Sequence, residues 1–560
     1  MFRMEFPSAT ARPGFSHVFL ILISPTTYYT RTHDHESPGG GSLKDGTSQP
    51  QNEQPRMTEQ PPAEAPHSSW GKRMLNGSLW MIALRWAIRL TGLVSTVILA
   101  RLLLPRDFGI VAMAMIVVNT LEIFNQTGQK LVLIRLENPT DDHFDSAWTV
   151  SFLIGLAVGA AILAASPLAE LYFHEPKVQP VMQCLALRAV LGGLENIGTV
   201  HFRRDLKFSN FFVYNVCPKL ISFIVTITLA VLLRNYWALV AGILTSQAAL
   251  IALSYVMHPH RPRFTFSKVG EIWSFSMWTF FRSVGQYTNT QLDQIAVGGF
   301  GGSSLMGKYA VASDVAQSPS QEINQPMVAV LYPVMSRLQN NLPELRAVYL
   351  NTLGWTAFIC AAAGVGVALV APEMQHLVLG EKWNGIAPLM TWLAIAGGIT
   401  GLSSGAYTLF DAMNHPKVGA RMVWTRLVIL SAVIAPVAFW TQSLINIAIC
   451  RTVAEALFLP GLFHAVHRIA GISLRQYAET LYRPFLSAAA MAMAVITVNL
   501  ALPLSGNSKL AADIGLGATA FLGSAWLLWS AAGRPSAPEA AIFPGVARIF
   551  RQLTGAPAMR

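Results

Sequence analysis

The chain has 560 residues, of which 52% are hydrophobic and only 12% charged, with a formal net charge of +11. A soluble domain carries about 25% charged residues, so this composition excludes an ordinary water-soluble globule and predicts a polytopic membrane protein made mostly of spanning helix. Cys184, Cys217, Cys360 and Cys450 all fall inside apolar segments, with no disulfide framework or metal-ligand spacing, and the positive charge reads as basic cytoplasmic loops rather than a nucleic-acid surface.

Residues 1–71 are rich in Pro, Gly, Ser, Gln and Thr, as in S-P-G-G-G-S and E-Q-P-P-A-E-A-P. Such a segment buries too little apolar surface to fold and is expected to be a disordered cytoplasmic tail. Its one apolar run, Val18 to Ile23, is shorter than the roughly 7–15 residues of a signal-peptide core. Met57 is an alternative start.

From residue 78 onward, apolar stretches of 20 or more recur with short gaps. About 20 helical residues cross the hydrocarbon. The predicted spans number about fourteen: 79–103, 108–128, 147–171, 178–200, 211–233, 236–257, 272–297, 309–335, 347–371, 384–410, 418–440, 442–464, 484–504 and 509–531. They are continuously apolar rather than alternating, which excludes a β-barrel. With the N-terminus inside, 21 loop and tail Lys and Arg residues face the cytoplasm against 7 outside, the latter being Arg101, Arg106, Lys177, Arg234, Lys308, Lys382 and Lys509. That asymmetry predicts both termini to be cytoplasmic.

The stretch Asp293 to Ala312 links the seventh and eighth spans through glycines and serines. Gly302, Gly307 and Lys308 match most of a phosphate-binding loop, but Tyr309 stands where a hydroxyl must bind magnesium. The expected topology also places this stretch outside. It is read as a tight turn, with the next helix beginning near Tyr309.

The two halves repeat. Shifted by 198, Gly109, Val111 and Ala112 fall on Gly307, Tyr309 and Ala310, and Pro105 on Ser303. Shifted by 205, Pro167 meets Pro372, Lys177 meets Lys382, and Gly192-Gly193 meets Gly397-Gly398. Six spans separate equivalent helices, so the repeat is parallel, with two further helices at the C-terminus. The division is 72–264 (N-lobe, spans 1–6), 265–470 (C-lobe, spans 7–12), 471–533 (spans 13–14) and a cytoplasmic tail, 534–560. Transporters built this way bind substrate between the repeats.

The motifs R-L-L-L-P-R-D-F-G-I-V-A-M, F-R-R-D-L-K-F, D-Q-I-A-V-G-G-F-G-G-S-S-L-M-G-K-Y-A and P-M-V-A-V-L-Y-P-V-M-S-R-L occur in this order. Across residues 72 to 500 the chain resembles the polysaccharide flippases of the multidrug, oligosaccharidyl-lipid and polysaccharide exporter superfamily. The resemblance implies two six-helix bundles around a central cavity, alternating access, and residence in the bacterial inner membrane. It implies a polyprenyl-pyrophosphate-linked oligosaccharide as substrate, turned from the cytoplasmic to the periplasmic leaflet for exopolysaccharide, capsule or O-antigen assembly. Membrane lipid, polysaccharide polymerase and export machinery are the implied partners, with no nucleic acid, no metal and no cofactor.

A pyrophosphate head crossing about 30 Å of hydrocarbon needs polar groups inside the bundle. The cations within predicted spans are Arg85, Arg89, Arg188, Lys219, Arg282, Arg426 and Arg451; the acids are Glu122, Glu195, Asp293, Asp314, Glu322 and Glu455. Arg85, Lys219 and Arg426 stand about two turns from the cytoplasmic end and either snorkel or touch substrate. Arg451 is expected to pair with Glu455 at i+4. Arg188 and Arg282 remain as the first pyrophosphate contacts, then Arg89 and Arg85, because the guanidinium fork suits phosphate. Gln286, Asn289, Gln291, Asn324 and Gln325 are candidates for sugar or the cavity wall. Glu322, Asp293 and Asp314 are candidates for a coupling proton or sodium ion, with a solvated helix end as the alternative for the two aspartates. Pro319, Pro326 and Pro333, spaced by seven, mark either a gate or a static kink.

Two other function classes make different demands on the sequence. A cation-coupled multidrug exporter of the same superfamily predicts a cavity dominated by acids. A membrane glycosyltransferase, ligase or polymerase needs a larger external loop than the one holding Glu373, His376, Glu381 and Lys382. The expectation is a transporter rather than an enzyme.

Overall fold

The computed structural model describes residues 67–126, 139–205, 207–270, 276–501 and 506–533, with Leu133 and Glu539; side chains are described for these except 67–79, 82, 126, 276–282, 323–326, 328–330 and 507. The expected N-terminal tail lies outside the described residues up to residue 66, and the C-terminal tail lies outside them except for Glu539. Contacts divide the chain into two units, Met1–Lys72 with Ala541–Arg560, and Arg73–Ala540; the second holds the helical body.

Every regular element among the described residues is helical. The first half comprises α1 (His67–Leu102), α2 (Pro105–Glu122), α3 (Asp141–Phe173), α4 (Val178–Gly193), the short α5 (Val200–Arg204), α6 (Phe208–Leu233) and α7 (Trp237–Met257). The second half opens with α8 (Ser276–Arg337), followed by α9 (Leu342–Glu373), α10 (Ala387–Gly401), α11 (Ser404–Ala412), α12 (Pro416–Thr441) and α13 (Leu444–Ala470). Two more helices follow, α14 (Leu474–Ala501) and α15 (Asn507–Ala531). Local chemistry sets several ends. Pro105 sits in the first turn of α2, and the Asp107 carboxylate accepts the Leu104 N–H at 3.0 Å. Gly471 ends α13 at φ 67°, its N–H donating to the His467 carbonyl at 2.7 Å.

Eleven helices among the described residues are long and apolar enough to cross a membrane, α10 and α11 counting as one. The chain is a multi-pass membrane protein. At 16 residues, α4 is only about 24 Å long. Neither it nor α8 is among the eleven.

The glycine-rich stretch differs from the expected turn. Only Gly302 leaves the helical region, with φ 63° and ψ 176°, so α8 is two arms joined at one residue. The second arm begins at Ser303, not near Tyr309. The other glycines there are packing sites. Gly298 lies under the Phe173 ring and Gly299 under Tyr172. A Cβ on Gly307 would stand 1.8 Å from the Pro105 carbonyl oxygen, and one on Gly109 would stand 1.6 Å from that of Ser303. The span expected over 178–200 stops at Gly193, and the one expected over 384–410 is broken between α10 and α11. The one expected from 484 begins at Leu474.

One continuous hydrophobic core runs through both halves, from Ile110 and Met113 on α2 to Tyr309 and Val311 on α8 and Ile447 on α13. The end of α1 is clasped by the segment between α9 and α10. Trp383 Nε1 donates to the Ala100 carbonyl at 2.9 Å, and Lys382 Nζ to that of Arg101 at 3.0 Å. On the other side of the crossing, Glu175, just past α3, accepts from Ser303 Oγ at 2.7 Å and Arg106 Nη2 at 3.2 Å. The segment joining the halves lies along α3. Asp145 accepts the Arg263 N–H at 3.2 Å, Ser146 that of Lys268 at 3.2 Å, and Thr149 that of Thr265 at 3.1 Å.

Candidate functional site

Arg85 and Arg89 are one turn apart on α1 and leave the same face, which continues through Gly92 and Ser95. On α6, Lys219, Ser222, Phe223 and Thr226 recur at i, i+3, i+4 and i+7, again one face. The two faces meet across a cavity of about 420 Å³ to which the second arm of α8 contributes Glu322. Its wall carries three cations and one carboxylate.

Arg85 Nε donates to Glu322 Oε2 at 3.2 Å, and both side chains are about a third exposed, 33% and 34%. Arg89 Nη2 is buried with no hydrogen-bond partner among the described residues. Thr91 Oγ1 donates to the Ala87 carbonyl at 2.8 Å, Ser222 Oγ to that of Gly242 at 2.8 Å, and Thr226 Oγ1 to that of Ser222 at 2.7 Å. The hydroxyl protons are therefore used, but each oxygen keeps acceptor capacity toward a ligand. Uncompensated cations within a bilayer are expensive and mark a place where an anion or water completes the charge.

The other candidates sit elsewhere. Arg188 lies 3.1 Å from Glu122 Oε2 and donates to Asn119 Oδ1 at 3.4 Å, so it already has a counter-ion off the cavity wall. The side chains of Arg282, Asn324, Gln325 and Pro326 lie outside the described residues. Gln286 is exposed and Gln291 half-buried, neither on the wall. Asn289 is buried and donates to the carbonyls of Gly285 at 2.9 Å and Val423 at 2.8 Å, tying the first arm of α8 to α12. Asp314 is exposed on the second arm, off the wall. Pro319 is half-buried and Pro333 exposed.

Asp293 is not a solvated helix end. It is 1% exposed, 2.6 Å from Arg451, and accepts the Tyr309 hydroxyl at 2.7 Å. The expected Arg451–Glu455 pair is replaced by two interhelical ones: Arg451 takes Asp293, and Glu455 takes Arg426. Arg451 and Glu455 share one face of α13 and attract each other along it, but each makes its direct contact across the interface. Arg426, 4% exposed, does not snorkel. These four charges are balanced and buried between α8, α12 and α13.

The reading of single charges passed over Ser222, Thr226, Thr91 and Ser95. Their signal is periodic: polar residues one turn apart within an apolar span, in step with Lys219 or Arg85. A second crevice of about 310 Å³ opens between α2, α3 and the first arm of α8, lined by Ile116, Leu121, Leu168, Phe173 and Ile295. Its Tyr172 hydroxyl already donates to the Ile295 carbonyl at 3.2 Å, which leaves a hydrocarbon surface.

Comparison with known proteins follows the same lines. Lipopolysaccharide biosynthesis protein WzxC of Escherichia coli (strain K12) is 22% identical over 428 residues, 74% of this chain and 85% of its own. The succinoglycan biosynthesis transport protein ExoT of Rhizobium meliloti (strain 1021) is 23% identical over 407 residues, 72% of this chain and 82% of its own. The solved structure of lipid II flippase MurJ in an inward closed conformation superposes with a TM-score of 0.66 at 15% identity, covering 82% of this chain and 100% of that one. An inward-facing multidrug resistance MATE family transporter gives 0.54 at 14% identity, over 70% and 98%. These two likenesses are of fold. Residues 98–388, from the end of α1 to the start of α10, match the family described as polysaccharide biosynthesis protein. With more than half of its length inside that match, the chain belongs to the polysaccharide biosynthesis protein family.

Proposed function

We propose that this protein flips a polyprenyl-pyrophosphate-linked oligosaccharide from the cytoplasmic to the periplasmic leaflet, by alternating access of two helical lobes, for exopolysaccharide, capsule or O-antigen assembly. The observation that carries this reading is the cavity of Arg85, Arg89 and Lys219, within the fold of a family named for polysaccharide biosynthesis. Guanidinium forks one turn apart suit phosphate oxygens, and Arg89 keeps a buried N–H without a partner among the described residues. A cationic drug would meet three cations and one acid there, which argues against the exporter alternative.

The lobes are read as residues 72–264 and 265–470, with α14 and α15 as additions. We count α4 and the two arms of α8 with the eleven apolar helices, for fourteen crossings. Two glycine patterns support the repeat. Gly109 faces Ser303 while its repeat mate Gly307 faces Pro105, itself the mate of Ser303; such reciprocity is what a two-fold relation requires. Gly155 also packs on Ala189 and Gly193 as Gly364 packs on Ala394 and Gly398. With both termini in the cytoplasm, as the loop charges favour, the Gly109–Gly307 crossing closes the external side.

Arg85, Arg89 and Lys219 are assigned to the pyrophosphate, with Arg188 and Arg282 further along the path. Gln286, Gln291, Asn324 and Gln325 are assigned to sugar contacts. A coupling proton or sodium ion is assigned to Glu322 and Asp314, since Asp293 is held by Arg451. Pro319, Pro326 and Pro333 on the second arm supply the bend, and polymerase and export machinery take up the product.

Deleting the gene should strand lipid-linked repeat units on the cytoplasmic leaflet, and a copy carrying Arg85→Ala and Arg89→Ala at normal protein level should not restore export. Unchanged surface polysaccharide in a deletion strain without a paralogue would sink the proposal.

A further inference from the structure

The cavity holds one feature that anion binding alone does not explain, the carboxylate on a wall that is otherwise cationic. We propose that Glu322 is a specificity-determining residue: it neutralises Arg85 in the empty cavity, keeps out singly charged phospholipid headgroups, and yields only to a pyrophosphate. The inference rests on the substrate reading above.

The Arg85–Glu322 contact is built to exchange. It joins α1 to the second arm of α8, residues 237 apart in sequence, and both side chains remain about a third exposed to the cavity. The Arg451–Asp293 pair, at 4% and 1%, is sealed from any ligand. Water and ligand can reach the first pair, so the attraction between its members is partly screened and another anion can replace it. Asp314, two turns nearer the break at Gly302, is off the wall but has Arg89 and Glu322 as charged neighbours.

The competitor explains the need. A cationic cavity in a membrane protein works amid a vast excess of phosphodiester headgroups with one negative charge each. Without Glu322, the three cations of the wall would hold them. With Glu322 in place, Arg85 is neutralised, Arg89 is shared with the Asp314 carboxylate behind the wall, Lys219 keeps its charge, and an entering anion also meets a carboxylate. Selection by such a built-in repulsion is as effective as added attraction. A pyrophosphate brings two phosphoryl groups. Arg85 and Arg89 stand about 6 Å apart along α1, one guanidinium for each group. Its second phosphoryl group offers Arg85 oxygens that offset the loss of Glu322, whereas a monoanion held at Arg89 has no second phosphoryl group to offer.

The test uses the purified full chain in detergent, with polyprenyl pyrophosphate and phosphatidylglycerol as probes in direct binding measurements. Wild type should prefer polyprenyl pyrophosphate. Glu322→Gln should tighten phosphatidylglycerol about tenfold and narrow that preference, whereas Glu322→Asp should keep it. Glu322→Ala should behave as Glu322→Gln and stands in if the glutamine variant does not fold. An unchanged ratio in both neutral variants, with wild type still preferring the pyrophosphate, overturns this inference alone. A wild type that holds polyprenyl pyrophosphate no better than phosphatidylglycerol overturns the substrate reading and this inference with it.

Discussion

Gly109 of α2 and Gly307 of the second arm of α8 meet backbone to backbone, with the amide nitrogen of each 2.9 Å from where a Cβ on the other would stand. The contact leaves no room for a side chain at either position. Replacing either glycine with alanine drives a methyl group onto a carbonyl oxygen that cannot rotate away. The expected cost is about 1–3 kcal/mol, through backbone displacement. A lower thermal midpoint for Gly109→Ala and Gly307→Ala than for Gly366→Ala, where a Cβ meets nothing within 4 Å, checks it.

Arg89 offers the cavity an unpartnered buried N–H, so its loss should be felt in function before folding. A hydrogen bond to a charged group is worth about 1.5–3 kcal/mol, roughly tenfold to a hundredfold in substrate affinity. Arg89→Ala should lower export by that order at an unchanged protein level, measured as surface polysaccharide per cell. Lys at this position should recover only part, because an ammonium lacks the fork.

The buried charges of α8, α12 and α13 predict the opposite pattern. Asp293→Asn takes from buried Arg451 the carboxylate it touches and leaves it only the attraction of Glu455, and breaking a buried pair costs about 3–5 kcal/mol. Asp293→Asn with Arg451→Met should recover most of that. Thermal unfolding in detergent for the two singles and the double gives the coupling directly; independent, additive losses would contradict the pairing.

Arg188 and Glu122 set a similar test with a different readout. Arg188→Ala should reduce protein level by exposing Glu122, and adding Glu122→Gln should restore it. Export by the restored double variant separates the two roles of Arg188. Recovery marks a structural pair, while continued failure at a normal level places Arg188 on the substrate path.

His258 lies just past the end of α7, stacked on His201 with ring centroids 5.3 Å apart. Burial first, then His201, His260 and Lys207, pushes its pKa below the ordinary histidine value, with Asp205 opposing. A lowered folded value means the unfolded chain binds the proton more readily. The stabilisation is present above the ordinary value and is lost as pH falls from there through the folded one. Unfolding measured from pH 7.5 to 5 should show falling stability, and His258→Asn should flatten that slope.

Much of the architecture was legible in the chain. Runs of about 20 apolar residues, and loops too short for a domain, force a helical bundle in lipid because backbone groups have no other partners there. The repeat was legible at Gly109 and Gly307, although as a match of letters. The reason for the match, two backbones touching, was not. Gly302 shows the limit of local reading: eleven residues from Gly298 to Lys308 looked like a turn, and one of them bends the chain.

The charged residues followed a harder rule. Composition and order alone determined that this is a multi-pass helical protein with cations inside its spans, since hydrophobic length and loop charge are local properties. Only the tertiary structure decided that Arg85 faces Glu322, that Arg451 takes Asp293 rather than Glu455, and that Lys219 joins Arg85 and Arg89 at one cavity. In water, a helix announces its inward face by being apolar there. In a bilayer both faces are apolar, helices meet through small residues and shape, and the rotation that aims each charge is set by neighbours hundreds of residues away.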